Sequence, residues 1–201
     1  MKCIFISSFA RAGKDTLGKL LKDLLEKDSK KVIFESFAKP LRAEMYETIN
    51  NVFNLDVYTQ DSREKEIVRP LMVSWAEIRR RQSYGNYFAD KLQERLDLIK
   101  DDYDYCIVTD FRFAEFWTPE QNNDELGLVK RNNGLIIHVK QYSIYEGHRV
   151  YLKAPNSTEK KNDPLIQRHA NYHLAWPKTD NQRLLEQYSL DVYKKVINYD
   201  K

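Results

Sequence analysis

The first 27 residues constrain the fold more than any other stretch. Lys2 to Ser7 (KCIFIS) is a short β-branched and aromatic run, the pattern of a buried strand. A loop, Ser8 to Gly13, follows, and Thr16 to Lys27 then sets Leu17, Leu20, Leu21, Leu24 and Leu25 at helical spacing. Strands alternating with helices build a parallel sheet covered on both faces, and the rest of the chain continues that alternation. Val32 to Phe37 reads as a second strand. Pro40 opens a helix through about Val52, in its favoured first turn. Ile67 to Gln82 and Phe88 to Lys100 read as two more helices, parted near Gly85-Asn86. Asp104 to Thr109 is a third strand ending in Asp110, Ile136 to Val139 lie in a fourth entered from Asn133-Gly134, and Tyr172 to Trp176 form a fifth stopped by Pro177. Residues 180–198 make the last helix, with Leu184, Leu185, Tyr188, Val192 and Val196 on one face. Residues 54–65 read as loop, and the long polar stretch 142–168 as a lid or a disordered segment.

Composition narrows the classes further. A length of 201 residues fits one domain, and a chain of this size buries roughly 70% of the surface its unfolded form exposes. Six glycines and six prolines are few, which favours long uninterrupted elements. A net charge of +3 and a pI of 8.6 leave no electrostatic footprint for nucleic acid, where a pI above ~9 is expected. Cys3 and Cys106 both lie inside apolar runs and read as small buried hydrophobes rather than a disulfide or metal ligands. Arg11 and Lys14 interrupt any signal-peptide core, and no apolar run approaches the ~20 residues of a membrane span. The expectation is a soluble cytoplasmic protein with neither membrane nor nucleic acid as partner.

The segment Ser7-Ser8-Phe9-Ala10-Arg11-Ala12-Gly13-Lys14-Asp15-Thr16 sits in the strand–loop–helix context of a phosphate-binding P-loop. Such a loop turns backbone N–H groups inward at phosphate oxygens, above a helix N-terminus and beside a lysine that reaches the β/γ-phosphates. Gly13 permits close backbone approach and Lys14 supplies the charge. Two positions depart from G-x-x-x-x-G-K-[ST]: Ser8 replaces the first glycine, and Asp15 replaces the Mg²⁺-binding hydroxyl, with Thr16 one position later. Asp15 can serve as a helix N-terminal anion and Thr16 as the hydroxyl near phosphate or metal. The competing interpretation is an ordinary helix start preceded by a basic loop.

With this loop, the chain resembles the phage deoxynucleoside monophosphate kinases, a branch of the P-loop nucleoside-monophosphate kinase group. The likeness rests on Arg11-Ala12-Gly13-Lys14-Asp15-Thr16, on Ser36-Phe37-Ala38-Lys39-Pro40-Leu41-Arg42, and on Val108-Thr109-Asp110-Phe111-Arg112-Phe113. Each falls at the C-terminal end of an expected parallel strand, where ligands bind in open α/β sheets. These motifs anchor the first ~115 residues; beyond them the likeness is one of general architecture.

The resemblance implies a three-layer P-loop NTPase fold: a five-stranded parallel sheet flanked by helices, with an acceptor-binding helical region at about 37–100 and a mobile lid at about 141–169, all in one domain. It implies transfer of the γ-phosphoryl of ATP, with Mg²⁺, to a nucleoside monophosphate of the deoxy type. Arg11 to Thr16 would contact ATP. Phe37, Ala38, Leu41 and Arg42 match the segment lining the acceptor pocket, although Phe37 and Leu41 also fit plain core. Asp110 ends its strand as a Walker-B-like aspartate able to hold Mg²⁺ with Asp15 and Thr16, or equally as a cap of the next turn. Arg112 follows in the family's D-x-R-F pattern. The family's next glutamate has no clear counterpart, since Glu115 is near but Phe116 stands in the usual place. Arg69-Pro70 and Arg79-Arg80-Arg81-Gln82 resemble arginine-bearing helices that close over the acceptor. Of three consecutive arginines at most two can face a site, and Arg80 is taken with Arg69. In the lid, Arg149, Arg168 and Lys153 are candidates to contact the transferring group, His148 reads as surface, and His169 sits near a short His motif whose acidic residue is missing. Lys14, Arg42, Asp110, Arg112 and Arg149 form the expected catalytic set. Other readings stay open: a kinase for another small acceptor (a sugar, a mevalonate-type phosphate or a polynucleotide end), a nucleotide-binding module without turnover, or a nucleic-acid-binding protein. A homodimer is left open as well.

Overall fold

The structure is a computed structural model, which describes residues 1–114 and 125–199. Its elements in chain order are β1 (Lys2–Ser7), α1 (Lys14–Lys27), β2 (Val32–Glu35), α2 (Ala38–Phe53), α3 (Ser62–Gln82), α4 (Tyr87–Ile99), β3 (Tyr105–Val108), α5 (Glu125–Arg131), β4 (Leu135–Tyr145), β5 (His148–Tyr151), α6 (Ser157–His169), β6 (Tyr172–Pro177) and α7 (Gln182–Ile197).

Five strands pair in parallel in the order β2-β3-β1-β4-β6. β1 is central: Ile4 lies in register between Ile107 of β3 and Leu135 of β4. Its side chains alternate between two apolar layers. Cys3 and Phe5 enter the layer made by α2 to α6, whereas Ile4 and Ile6 enter the layer made with Leu17, Leu21 and Leu25 of α1 and Val192 and Val196 of α7. The three-layer α/β fold expected from sequence is therefore the observed one. No described helix is long and apolar enough to cross a membrane.

Three differences from the sequence reading matter. β4 runs well past Val139, and its far end pairs antiparallel with β5, so the sheet is six-stranded and mixed rather than purely parallel. Tyr142 pairs with Pro177 of β6 on one edge and with Tyr151 of β5 on the other. The β4–β5 hairpin thus stands above the C-terminal end of β1, on the edge that β1 leaves free. Second, the polar stretch 142–168 contains α6, whose Asn156 cap accepts from the Glu159 N–H. Third, α3 starts at Ser62, inside the segment read as loop, because Asp61 accepts from the N–H groups of Arg63 and Glu64. The apolar period shows neither of these helix starts, since both first turns are polar. The short α5 was also not anticipated.

Candidate active site

The loop after β1 is shaped by two left-handed residues, Arg11 at φ 67° and Gly13 at φ 86°. Such a turn aligns successive N–H groups toward one concave side, the geometry of an anion nest. Gly13 is required twice over: its φ disfavours any Cβ, and a Cβ there would stand 2.5 Å from Trp176 Cζ2. Trp176, buried on β6, braces the loop from behind by donating its indole N–H to the Ala12 carbonyl at 2.9 Å. Lys14 opens α1 and is only 5% exposed. Burial, and next the Arg112 guanidinium, push its ammonium below the usual lysine range, while Asp15, Glu159 and Asp110 pull the other way.

The acidic residues tie the motifs together. Asp15 Oδ1 accepts from the Thr109 hydroxyl at 2.6 Å, which fixes the head of α1 to the end of β3. Asp110 accepts from the Ser36 hydroxyl (2.8 Å) and from the N–H groups of Phe37 (3.1 Å) and Ala38 (2.9 Å). It is a cap, as one sequence reading held, but the helix it caps is α2 and not the turn that follows it. Arg112 donates from Nη1 to Glu159 Oε1 at 2.9 Å, and Glu159 Oε2 accepts from the Ala10 N–H of the loop at 2.9 Å. His138, beside Ser7 in the sheet register, meets Asp163 of α6 through Nε2 at 2.7 Å and holds that helix against the sheet.

Of the residues expected to line an acceptor pocket, Phe37 and Leu41 are buried, with Phe37 packed on Phe5 and Phe111, as the plain-core alternative has it. Arg42 and Arg69 are exposed, and Arg42 has no hydrogen bond or ion pair among the described residues. The three consecutive arginines separate cleanly. Arg79 donates to Glu44 at 2.9 Å, a carboxylate that also receives Trp75 Nε1 and the Tyr87 hydroxyl. Arg81 pairs with Glu77 in solvent. Arg80 turns inward, 3.8 Å above the Phe113 ring and 3.5 Å from Glu125. Glu125, fully enclosed, accepts from the N–H groups of Arg112 and Phe113 at 2.9 and 3.1 Å. Burial pushes its carboxyl up to about 7, against the pull of Arg80.

Among the described residues, none of the lid candidates forms a hydrogen bond or ion pair with the loop. Arg149 is exposed on β5 and stacks 4.6 Å over Tyr142, and Lys153 is exposed beyond that strand. Arg168 and His169 lie at the C-terminal end of α6, with His169 beside Gly134 and Ile136 where β4 begins. For Arg168 and His169 the reason is helical geometry: His169 lies ten positions beyond Glu159 along α6, about 15 Å of rise, so one end of the helix meets the loop and the other the N-terminal end of β4. Glu115 and Phe116 fall outside the described residues. Glu159, Glu125 and Trp176 were not anticipated. Only Glu159 carried a signal, the Asn156-x-x-Glu159 spacing of a helix start, and its carboxylate is used elsewhere.

Set beside known proteins, the chain matches the family model described as phosphomevalonate kinase over residues 6–118. No curated protein matches it. Among solved structures, it is similar to a dephospho-CoA kinase from Campylobacter jejuni, at 15% identity and a TM-score of 0.45, covering all of both chains. A shikimate kinase from Acinetobacter baumannii in complex with shikimate follows at 14% identity and a TM-score of 0.42, covering 100% of this chain and 95% of that one. A shikimate kinase from Bacteroides thetaiotaomicron gives 15% identity and a TM-score of 0.44, with 98% of each chain covered.

Proposed function

The chain belongs to the phosphomevalonate kinase family and is an ATP-dependent kinase, and from that premise we propose that its acceptor is itself a phosphate monoester, a nucleoside monophosphate of the deoxy type. The observation that carries this reading is the gathering of Lys14, Arg112, Asp15 and Asp110 at the carboxyl ends of β1 and β3, around a loop with inward-turned amides. Phosphoryl transfer asks a protein for positioning and charge neutralisation rather than covalent work. Lys14 and the amides of Arg11 to Thr16 would hold the ATP phosphates. Arg112 would neutralise charge on the transferring group, its backbone pinned by Glu125. A monophosphate dianion is already a nucleophile, so no general base is required.

The oxygen donors at the head of α1 fit Mg²⁺. Asp15 is exposed there and oriented by the Thr109 hydroxyl, and Thr16 is exposed beside it. Asp110, which already accepts three hydrogen bonds, would reach a cation through water. When bound, Mg²⁺ supplies positive charge to the β/γ-phosphates. The acceptor region would comprise α2 to α4, and the lid the β4–β5 hairpin with α6.

A planar base in the acceptor is supported by half-exposed aromatic surface: Phe113 under Arg80, then Tyr87 and Trp75 joined through Glu44. Arg42 and Arg69, unengaged or exposed on α2 and α3, would take the acceptor phosphate, a task suited to guanidinium. The family match favours a second reading, a mevalonate-type phosphate as acceptor. Both are tested by ADP release from Mg²⁺·ATP with ribo- and deoxyribonucleoside monophosphates and phosphomevalonate, with Lys14→Ala alongside. Acceptor-dependent turnover that falls at least ~100-fold in the variant is expected. Turnover within a few-fold of wild type in Lys14→Ala would refute the assignment of the site.

A further inference from the structure

Glu159 lies where a bound anion belongs. One carboxylate oxygen takes the Ala10 N–H of the loop at 2.9 Å and the other takes Arg112 Nη1 at 2.9 Å. The Lys14 ammonium feels the same charge, which counters part of the effect of its burial. A loop amide, a guanidinium and an ammonium are the three groups that bind phosphate oxygens elsewhere. Here a side chain of the protein satisfies the first two and places its charge near the third, and it is 7% exposed and therefore largely dry. The carboxylate does not sit there merely to start α6, because Asn156 performs that task through the Glu159 N–H. Nor does α6 depend on Glu159 for its docking: Asn162 Oδ1 accepts from the Ala114 N–H at 2.9 Å, and Asp163 holds His138.

We propose that Glu159 is an internal ligand of the phosphate cradle, which the terminal phosphate of an incoming nucleotide displaces. The exchange replaces one anion by another at Ala10 and Arg112, so the first turn of α6 leaves the loop as the phosphate arrives. This couples nucleotide binding to release of the first turn of α6 through one side chain, while Asn162 and Asp163 keep the rest of the helix docked. It also keeps Lys14 and Arg112 from holding stray anions. The inference rests on the reading of Ser8 to Thr16 as a phosphate cradle, and the experiment separates the two.

Inorganic pyrophosphate and Mg²⁺·ATP are titrated calorimetrically into the wild type, Glu159→Gln and Glu159→Ala, with circular dichroism to confirm folding. Glu159→Gln keeps the shape and one acceptor but removes the charge, and charge-assisted hydrogen bonds are roughly twice as strong as neutral ones. Pyrophosphate is expected to bind roughly tenfold more tightly to both variants. Unchanged or weaker binding in the variants would overturn the displacement while leaving the cradle intact. No binding to any of the three proteins would overturn the cradle and, with it, the displacement. In the wild type alone, amide exchange in residues 157–161 is expected to speed up when pyrophosphate is added. Slower or unchanged exchange there would also overturn the displacement.

Discussion

Replacing Gly13 by alanine tests how the loop is built. Two costs add. The left-handed φ of 86° disfavours an L-residue by about 1–2 kcal/mol. The new methyl would also stand 2.5 Å from Cζ2 of Trp176, with Cε2 at 3.1 Å and Nε1 at 3.3 Å. That ring cannot swing away, since it is buried and donates to the Ala12 carbonyl. Forcing a methyl into a packed site costs about 1–3 kcal/mol more. Gly13→Ala should therefore lose about 2–5 kcal/mol, a large share of the ~5–15 kcal/mol total usual for a folded chain. Trp176→Phe removes the indole ring atoms nearest the methyl and leaves the Ala12 carbonyl without its donor, for about 1–3 kcal/mol by itself. In that background Gly13→Ala should cost only the strain, so a double-mutant cycle by urea denaturation yields a coupling of about 1–3 kcal/mol. Costs that add to within ~0.5 kcal/mol would refute the claim that the indole excludes the Cβ. ATP affinity, measured by calorimetry on the folded fraction, should fall in Gly13→Ala in both backgrounds, because the strain distorts the amides that face the phosphates.

Four further outcomes follow from single side-chain contacts. The folded form holds Glu125 protonated up to about 7 against an ordinary value of 4.5, so between those values it binds more protons than the unfolded chain. Stability should then fall by about 3 kcal/mol as pH rises through that window and level off above it. Glu125→Gln should flatten the slope, as read from urea midpoints at pH 4.5 to 8. Asp110→Ala strips the cap of α2 and leaves two N–H groups and the Ser36 hydroxyl without their acceptor, and should lower stability by about 1–3 kcal/mol in thermal melts. Arg81→Ala should stay within about 0.5 kcal/mol of wild type in urea melts. Arg80→Ala should be destabilising and should raise KM for the acceptor, because it removes the partner of Glu125 and the cover of Phe113.

The parts of this molecule legible in the sequence are those whose burial is apolar. β1 and β3 announce themselves as runs in which nearly every residue leaves water, and the leucine face of α1 because one residue in every three to four does. The three motifs at strand ends were likewise visible, and the structure joins them through Asp110 to Ser36 and Asp15 to Thr109. α6 escaped notice because Glu159, Asn162 and Asp163, three of its buried residues, are polar, and Pro164 sits inside it. Without a helix in it, the lid expected at about 141–169 is free to bring Arg149 or Arg168 to the transferring group. The helix instead sets Glu159 at the loop and Arg168 at its far end. Arg80 could not be told from its neighbours by spacing alone; the distinction comes from Phe113 and Glu125, which lie far along the chain.

The cap on α2 also sets an order of events during synthesis. The Ala38 N–H and the Asp110 carboxylate that satisfies it lie 72 residues apart. At about 5–20 residues per second, a ribosome delivers that carboxylate roughly 4–14 s after the amide it serves. Until then the N–H groups of Phe37 and Ala38 lack that acceptor. β1 waits longer still for its neighbour, since Lys2 finds its register partner only at Tyr105. The centre of the sheet and the start of α2 should thus become stable in one late step, when β3 docks between β2 and β1. A nascent chain halted before Val108 should accordingly carry helices and no closed sheet.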